Sequence, residues 1–245
     1  MKNLNFLKTW PIAHRGYHNV KYPENSLGAF KAAIKYNYAI ELDITVLRDG
    51  TVICFHDKNF KRMTGLNKNV NEVTFDDIKN LKLNTSKETI PRFIDVLNYI
   101  DGKVPLLIEI KGHPGYKKAI HVIASMLNEY QGEYAIFSFN PKIVYWFKKH
   151  HPHIIRGQIT SFFKEDKRQP KLLKYLMKSL FFNKFTKPDF ISYNIDNLPN
   201  QYADKAKRAG LTVISYTAKT LNDYLKVKKD YDNVVFEGFK INGQD

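Results

Sequence analysis

Eight short runs of branched and aliphatic residues recur along the chain, near 11–14, 39–46, 105–111, 134–139, 154–159, 189–194, 211–217 and 233–237. Helical patterns fill most of the intervals, and strands that alternate with helices fold as βαβ units around a parallel sheet. Ser26, for one, can cap a helix whose Leu27, Phe30 and Ile34 fall at i, i+3 and i+7. A ninth run, 51–56, follows the turn signal Asp49-Gly50 and is predicted to fold back on the second run as a hairpin. From Lys58 to about Thr89 the chain makes a polar excursion. The 245 residues contain no Gly/Ser-rich linker, low-complexity tract or repeat, so one domain over 1–245 is the economical reading.

Two carboxylates interrupt the second run, Ala39-Ile40-Glu41-Leu42-Asp43-Ile44-Thr45-Val46. In a strand, positions i and i+2 share a face and lie roughly 7 Å apart, at about 3.3 Å per residue. Two hard oxygen donors on one face suit Mg2+ or Ca2+ better than metals that seek thiolate or imidazole. The alternative is an exposed strand face with two solvated acids. The third run, Val104-Pro105-Leu106-Leu107-Ile108-Glu109-Ile110-Lys111-Gly112, puts Glu109 and Lys111 on one face and Ile108 and Ile110 on the other. A charge embedded in so apolar a strand costs free energy unless it is paired or metal-bound. Glu109 is therefore either a third metal ligand or one half of a Glu109–Lys111 ion pair at a strand end.

Histidines close two of the runs. His14 follows Pro11-Ile12-Ala13 and precedes Arg15-Gly16, while His56 closes Thr51-Val52-Ile53-Cys54-Phe55 with Asp57 beside it to orient the ring. A single strand-end His is ordinarily a structural hydrogen-bonding residue. Two of them flanking an acid pair favour acid–base work. Phosphodiester cleavage needs a cation on the non-bridging oxygens, a base for the nucleophile's proton and an acid for the leaving oxygen.

Taken in order, the words His14-Arg15-Gly16, Pro23-Glu24-Asn25-Ser26, Glu41-x-Asp43, Asp49-Gly50, His56-Asp57, Arg62-x-Thr64-Gly65, Ile90-Pro91 and Glu109-x-Lys111 resemble the glycerophosphodiester phosphodiesterase family. They cover the first half of the chain densely; Phe137-Ser138-Phe139 and Val213-Ile214-Ser215-Tyr216-Thr217 extend the likeness more loosely. The resemblance implies a (β/α)8 TIM barrel with a small insertion over the barrel mouth at approximately 58–89. It also implies hydrolysis of a small glycerophosphodiester to glycerol phosphate and an alcohol, with a divalent cation, Mg2+ or Ca2+. By position it assigns His14 and His56 to acid–base catalysis, Glu41, Asp43 and Glu109 to the metal, and Arg15 and Lys111 to the substrate phosphate. Such a barrel takes about 250 residues and keeps its chemistry at the C-terminal ends of its strands. Toward the C-terminus, Tyr216-Thr217 and Phe236-Glu237-Gly238 stand where family members usually carry Trp-Thr and Thr-Asp. That departure bears on the pocket wall, and so on the leaving alcohol.

Charge adds a second theme. With 39 Lys and Arg against 24 Asp and Glu, the formal net charge is +15, which favours anionic partners. Between Ser161 and Lys187 stand eight basic residues, Arg168 among them, against Glu165 and Asp166. Leu172, Leu173, Leu176, Met177, Leu180, Phe181 and Phe182 are interleaved with them, so the stretch after Pro170 can form an amphipathic helix with a basic side. Three readings compete: a barrel helix packing its apolar stripe on the core, a peripheral contact with an anionic membrane through 161–187, and nucleic-acid binding. No zinc-finger spacing or RNA-recognition signature supports specific nucleic-acid recognition.

The first eleven residues mix Lys2, Asn3, Asn5 and Lys8 among apolar ones and lack the ~7–15-residue apolar core of a signal peptide. No apolar run approaches the ~20 residues of a membrane span. One cysteine, Cys54, excludes an internal disulfide and suits a reducing compartment. The expectation is a cytoplasmic protein, membrane-peripheral if the basic segment docks on lipid, with its oligomeric state left open. Two further functional readings stand beside hydrolysis of small glycerophosphodiesters. One is lysophospholipase D-type activity at a membrane surface; the other is a non-catalytic anion-binding barrel, whose signature would be a missing His or carboxylate.

Overall fold

The computed structural model describes residues 2–167 and 169–241. Its strands are β1 (Ile12–Ala13), β2 (Ala39–Val46), β3 (Val52–Cys54), β4 (Leu106–Ile110), β5 (Tyr134–Ser138), β6 (Arg156–Thr160), β7 (Phe190–Asn194), β8 (Thr212–Ala218) and β9 (Asn233–Phe236). The α-helices are α1 (Asn5–Thr9), α2 (Leu27–Lys35), α3 (Lys61–Thr64), α4 (Phe75–Ile78), α5 (Phe93–Ile100), α6 (Tyr116–Glu129), α7 (Pro141–His150), α8 (Lys171–Lys178), α9 (Asn183–Thr186), α10 (Gln201–Arg208) and α11 (Leu221–Asp230). Eight parallel strands in the order β1-β9-β8-β7-β6-β5-β4-β2, with β1 paired to β2, make a (β/α)8 barrel, and β3 lies outside the ring. The chain divides into two compact units, Ile12–Tyr134 and a second made of the residues up to Pro11 with Ala135–Lys240.

In the first unit, β2 lies between β1 and β4, with Ala13 opposite Ile40 and Asp43 opposite Glu109. All eight residues of β2 are buried, as expected of a barrel strand covered on both faces. Ile40, Leu42 and Ile44 fill one face; Glu41, Asp43 and Thr45 occupy the other. The ninth run forms the expected hairpin. β3 pairs antiparallel with β2, Ile44 opposite Cys54, across a turn where Gly50 sits at φ +87°.

Ser26 caps α2, its Oγ accepting from the Ala29 N–H at 3.1 Å. The buried face differs from the expected one: Ala29, Phe30 and Ala33 are buried, whereas Leu27 is exposed. Close approach explains the shift. A Cβ on Gly16 would meet the Ala29 backbone and the Phe30 ring at 2.9 Å, so the Ala29–Phe30 side of α2 faces the loop after β1. The excursion from Lys58 is structured rather than loose. It carries α3, a 3-10 turn at Val70–Glu72 and α4, and its Phe60, Met63, Val70 and Ile78 join Ile53, Phe55 and Ile90 in a buried cluster.

In the second unit, β6 through β9 run in parallel register beside β5. Asn140, Asn200 and Thr220 cap α7, α10 and α11 through their side-chain oxygens. Ile191, Tyr193, Ala203 and Val213 form a core against which Phe162 and Leu180 pack. α1 has no counterpart among the sequence-derived elements; Phe6 and Leu7 bury it, and Asn233 Nδ2 donates to the Leu7 and Trp10 carbonyls at 2.9 and 2.7 Å.

Of the three readings left open for the segment after Pro170, the one in which its apolar stripe packs on the core is met only in part. Within α8 only Met177 is buried; Leu172, Leu173 and Tyr175 are exposed, while Lys174 and Lys178 are half-buried. Backbone anchoring adds to the packing of Met177, with Thr160 Oγ1 donating to the Met177 carbonyl at 2.9 Å and Tyr193 Oη to the Lys178 carbonyl at 2.7 Å. Arg168 lies outside the described residues. Among the described residues, no helix is long and apolar enough to cross a membrane.

Candidate active site

Every residue assigned to chemistry from sequence falls within the first unit. Strand alternation puts Glu41 and Asp43 on one face of β2, and the parallel register sets Glu109 of β4 directly beside Asp43. All three are buried, and one carboxylate oxygen from each lies within 4.8 Å of the others. The solvated-acid alternative is thereby excluded for Glu41 and Asp43.

The chain after β1 wraps this pair. His14 Nε2 stands 4.0 Å from Glu41 Oε2. Next along, Arg15 adopts φ +53° and its backbone N–H donates to Glu41 Oε2 at 2.8 Å. Asn25, also left-handed at φ +56°, makes a reciprocal pair with Asp43: its Nδ2 donates to Asp43 Oδ2 at 2.9 Å and its Oδ1 accepts from the Asp43 N–H at 3.0 Å. Asparagine tolerates that backbone region better than most residues, which suits it to the position.

Cations complete the lining. Lys111 Nζ donates to Glu109 Oε1 at 2.7 Å and Asp43 Oδ1 at 3.2 Å, so the Glu109–Lys111 ion pair exists, buried rather than at an open strand end. An ammonium carries three donors, and these contacts use two. Arg15 Nη1 donates to Glu24 Oε1 at 2.6 Å, and its Nε lies 3.3 Å from Asp43 Oδ2.

The electrostatics divide the three acids. Burial opposes ionisation of Asp43, but Lys111, His56, Arg15 and the Asn25 hydrogen bond outweigh it and hold its carboxyl below the usual range. Glu41 goes the other way: burial, then the neighbouring charges of Asp43 and Glu109, push it well above the usual range. Burial also raises Glu109, although Lys111 pulls it back. Three converging carboxylates repel one another, and a divalent cation relieves that repulsion. The donor set, hard oxygens only, fits such an ion.

His56 is oriented as its neighbour in sequence suggested, with Nδ1 2.7 Å from Asp57 Oδ1. What sequence reasoning missed is the anchor behind that carboxylate. Arg62 donates to Asp57 at 2.6 and 3.1 Å and to Glu24 at 2.8 and 2.7 Å, linking His56 through Asp57, Arg62 and Glu24 to Arg15. Although burial disfavours the charge on Asp57, its hydrogen bonds to His56 and Arg62 lower its pKa. Glu24 and Arg62 both stood within motif words, yet spacing alone could not pair residues 38 positions apart.

His113 was also missed. Its Nδ1 lies 3.1 Å from Thr45 Oγ1, and burial, then Lys111, brings its pKa down to about 4. His56, Lys58, Lys61, Arg62, Lys111 and His113 line an open groove of about 930 Å³.

Comparison with known proteins supplies the class. The model of the glycerophosphoryl diester phosphodiesterase family matches residues 14–235. The chain belongs to that family. It is 32% identical to the glycerophosphodiester phosphodiesterase of Caldanaerobacter subterraneus over 62% of this chain, a match spanning just under two thirds, 66%, of that relative's length. Glycerophosphodiester phosphodiesterase 1 of Bos taurus is 24% identical over 86% of this chain and 72% of its own. Among solved structures, an Oleispira antarctica phosphodiesterase in complex with the product sn-glycerol-3-phosphate superposes with a TM-score of 0.79 at 21% identity, covering 94% of this chain and 93% of its own.

Proposed function

We propose that the protein is a glycerophosphodiester phosphodiesterase that hydrolyses a small glycerophosphodiester to glycerol phosphate and an alcohol. The observation that carries this reading is the buried Glu41–Asp43–Glu109 cluster, its oxygens within 4.8 Å of one another, with His14 4.0 Å from Glu41 and Lys111 on the other two acids. Family membership and the glycerol-3-phosphate bound by the Oleispira antarctica protein support the substrate class.

On this reading Glu41, Asp43 and Glu109 hold a divalent cation, Mg2+ or Ca2+. Bound there, the ion would neutralise charge on the phosphoryl oxygens. Arg15 and the third donor of Lys111 bind the phosphate. His14 and His56 divide base and acid duties, because in-line displacement puts the attacking and leaving oxygens on opposite sides of phosphorus. With His56 Nδ1 committed to Asp57, Nε2 is the nitrogen that exchanges a proton, and the ionised Asp57 stabilises the imidazolium. The groove beside His56 and Lys111 receives the alcohol. Residues 58–89 are an insertion over the barrel mouth within a single catalytic domain. A cytoplasmic location accords with the one cysteine, Cys54, which is free and buried.

Phosphorus NMR of the products from a panel of glycerophosphodiesters and lysophospholipids, with and without chelator, tests the proposal. Glycerol phosphate should form from the small diesters and stop forming with chelator. Turnover of lysophospholipids alone would move the protein to lysophospholipase D-type chemistry, and no turnover of any diester would leave an anion-binding barrel.

A further inference from the structure

Eleven large apolar side chains are exposed among the described residues, and five of them fall between positions 172 and 185: Leu172, Leu173, Tyr175, Phe181 and Phe185. Leu172 is the most open of the five, at 69%. A helix on a water-facing surface ordinarily turns its leucines inward and its lysines outward. α8 follows that rule at Lys171, Leu176 and Met177 but breaks it at four positions, exposing Leu172 and Leu173 while half-burying Lys174 and Lys178. The segment is nonetheless fixed to the protein beneath it through Met177, Leu180 and Phe162, which pack inward.

The exposed rings carry cations on them. Lys184 Nζ lies 3.6 Å from the Phe181 ring centre and 4.9 Å from that of Phe185. Lys178 sits between the rings of Phe162 and Tyr175, at 5.5 and 5.7 Å. α7 extends the patch: Lys148 Nζ donates to the Phe185 carbonyl at 2.6 Å and stands 5.5 Å from the ring of Tyr145, itself exposed. Lys171 and Lys187 add charge at its margins, while Glu165 and Asp166 precede the helix.

Exposed apolar side chains concentrated in one segment in this way mark an interaction site. The charge pattern selects among partners. A polar protein surface offers nothing to five Leu, Tyr and Phe side chains, and a nucleic acid offers phosphate but no apolar volume for leucine. A bilayer with anionic headgroups offers both layers at the right depths: acyl chains for the leucines and phenylalanines, and phosphate for the lysines, whose long stems let the ammonium reach outward from an apolar bed. We propose that α8, α9 and the adjoining turn of α7 form a docking surface for an anionic lipid bilayer. The claim is independent of which diester the protein hydrolyses.

Co-sedimentation with vesicles tests it, using phosphatidylcholine alone and phosphatidylcholine mixed with an equal part of phosphatidylglycerol. The wild-type protein should partition at least about 10-fold better to the mixed vesicles, and about 0.5 M salt should release most of it. Leu172→Ser with Leu173→Ser should weaken partitioning by about 10-fold or more, since both side chains would leave the acyl layer. Lys171→Glu with Lys184→Glu should do the same at low salt. Because all four positions are at the surface, the thermal melt and hydrolysis of a water-soluble diester should stay near wild type in both variants. Equal partitioning to both vesicle types, or partitioning indifferent to both variants, would overturn the proposal. So would light scattering that shows a dimer converted to monomer by the paired serines, because the patch would then be covered by a second copy of the chain.

Discussion

Between β2 and β4 the protein buries charge, and across α8 and α9 it exposes leucine and phenylalanine; each region inverts the ordinary partition of polar and apolar groups. The two inversions are managed differently. Glu41, Asp43, Glu109 and Lys111 are held by short hydrogen bonds and ion pairs from four chain segments, so removing one partner leaves a buried charge uncompensated. The exposed apolar residues of α8 and α9 cost the fold little, because their backbone is anchored by Met177, Leu180 and the Thr160 and Tyr193 hydroxyls. Substitutions in the first region should therefore move chemistry strongly, and substitutions in the second should move neither chemistry nor stability.

The sharpest form of that contrast is kinetic. His14→Ala or His56→Ala should lower kcat by roughly 10²–10⁴, the usual span for one acid–base group, with metal affinity little changed. An activated aryl leaving group should partly rescue whichever variant lacks the acid. Near-wild-type turnover in either variant would break the assignment.

A step smaller is Arg62→Ala, which leaves His56 and the carboxylates in place but strips Asp57 and Glu24 of their shared partner. We expect about a 10–100-fold loss in kcat, the scale of losing a group that orients others. A KM effect alone, with kcat unchanged, would mean that Arg62 acts only on substrate.

Stability gives the next test. His113 is held neutral, its pKa down to about 4 from the ordinary His value of 6.5. A depressed folded-state pKa contributes stability that is present above the unfolded value and lost as pH falls toward the folded one. Urea unfolding should show the wild type losing about 1–2 kcal/mol between about pH 7.5 and 5, after allowance for partial solvent exposure. His113→Gln should flatten that loss, and an unchanged slope would show that His113 does not carry it. At the small end, Leu172→Ser should change unfolding free energy by no more than about 0.5 kcal/mol, as an exposed side chain does. A loss above about 2 kcal/mol would mean that Leu172 is part of the core.

Much of this contrast was legible in the sequence, and the reason is periodicity. Alternation along 39–46 put Glu41 and Asp43 on one face, and the same rule put Glu109 beside Lys111, so the acid cluster needed only a register to bring β4 next to β2. The barrel followed from counting strands and from the ordered motif words. Partners that depend on tertiary approach were not readable. Glu24 with Arg62 and Thr45 with His113 lie 38 and 68 positions apart, and no local pattern encodes such pairings. The buried face of α2 differed from the expected one because Gly16 approaches the helix at Ala29 and Phe30, which turns Leu27 outward. For α8 the sequence left several readings open, because a basic amphipathic stripe looks the same whether its apolar side faces a core or faces outward.

The central claim is that three buried carboxylates hold one divalent cation. Calorimetric titration of Mg2+ and of Ca2+ into the metal-free protein addresses it directly. A single site is expected for at least one of the two ions, weakened by Glu41→Gln, Asp43→Asn and Glu109→Gln and retained in His14→Ala. Wild-type affinity in all three carboxylate variants would contradict it.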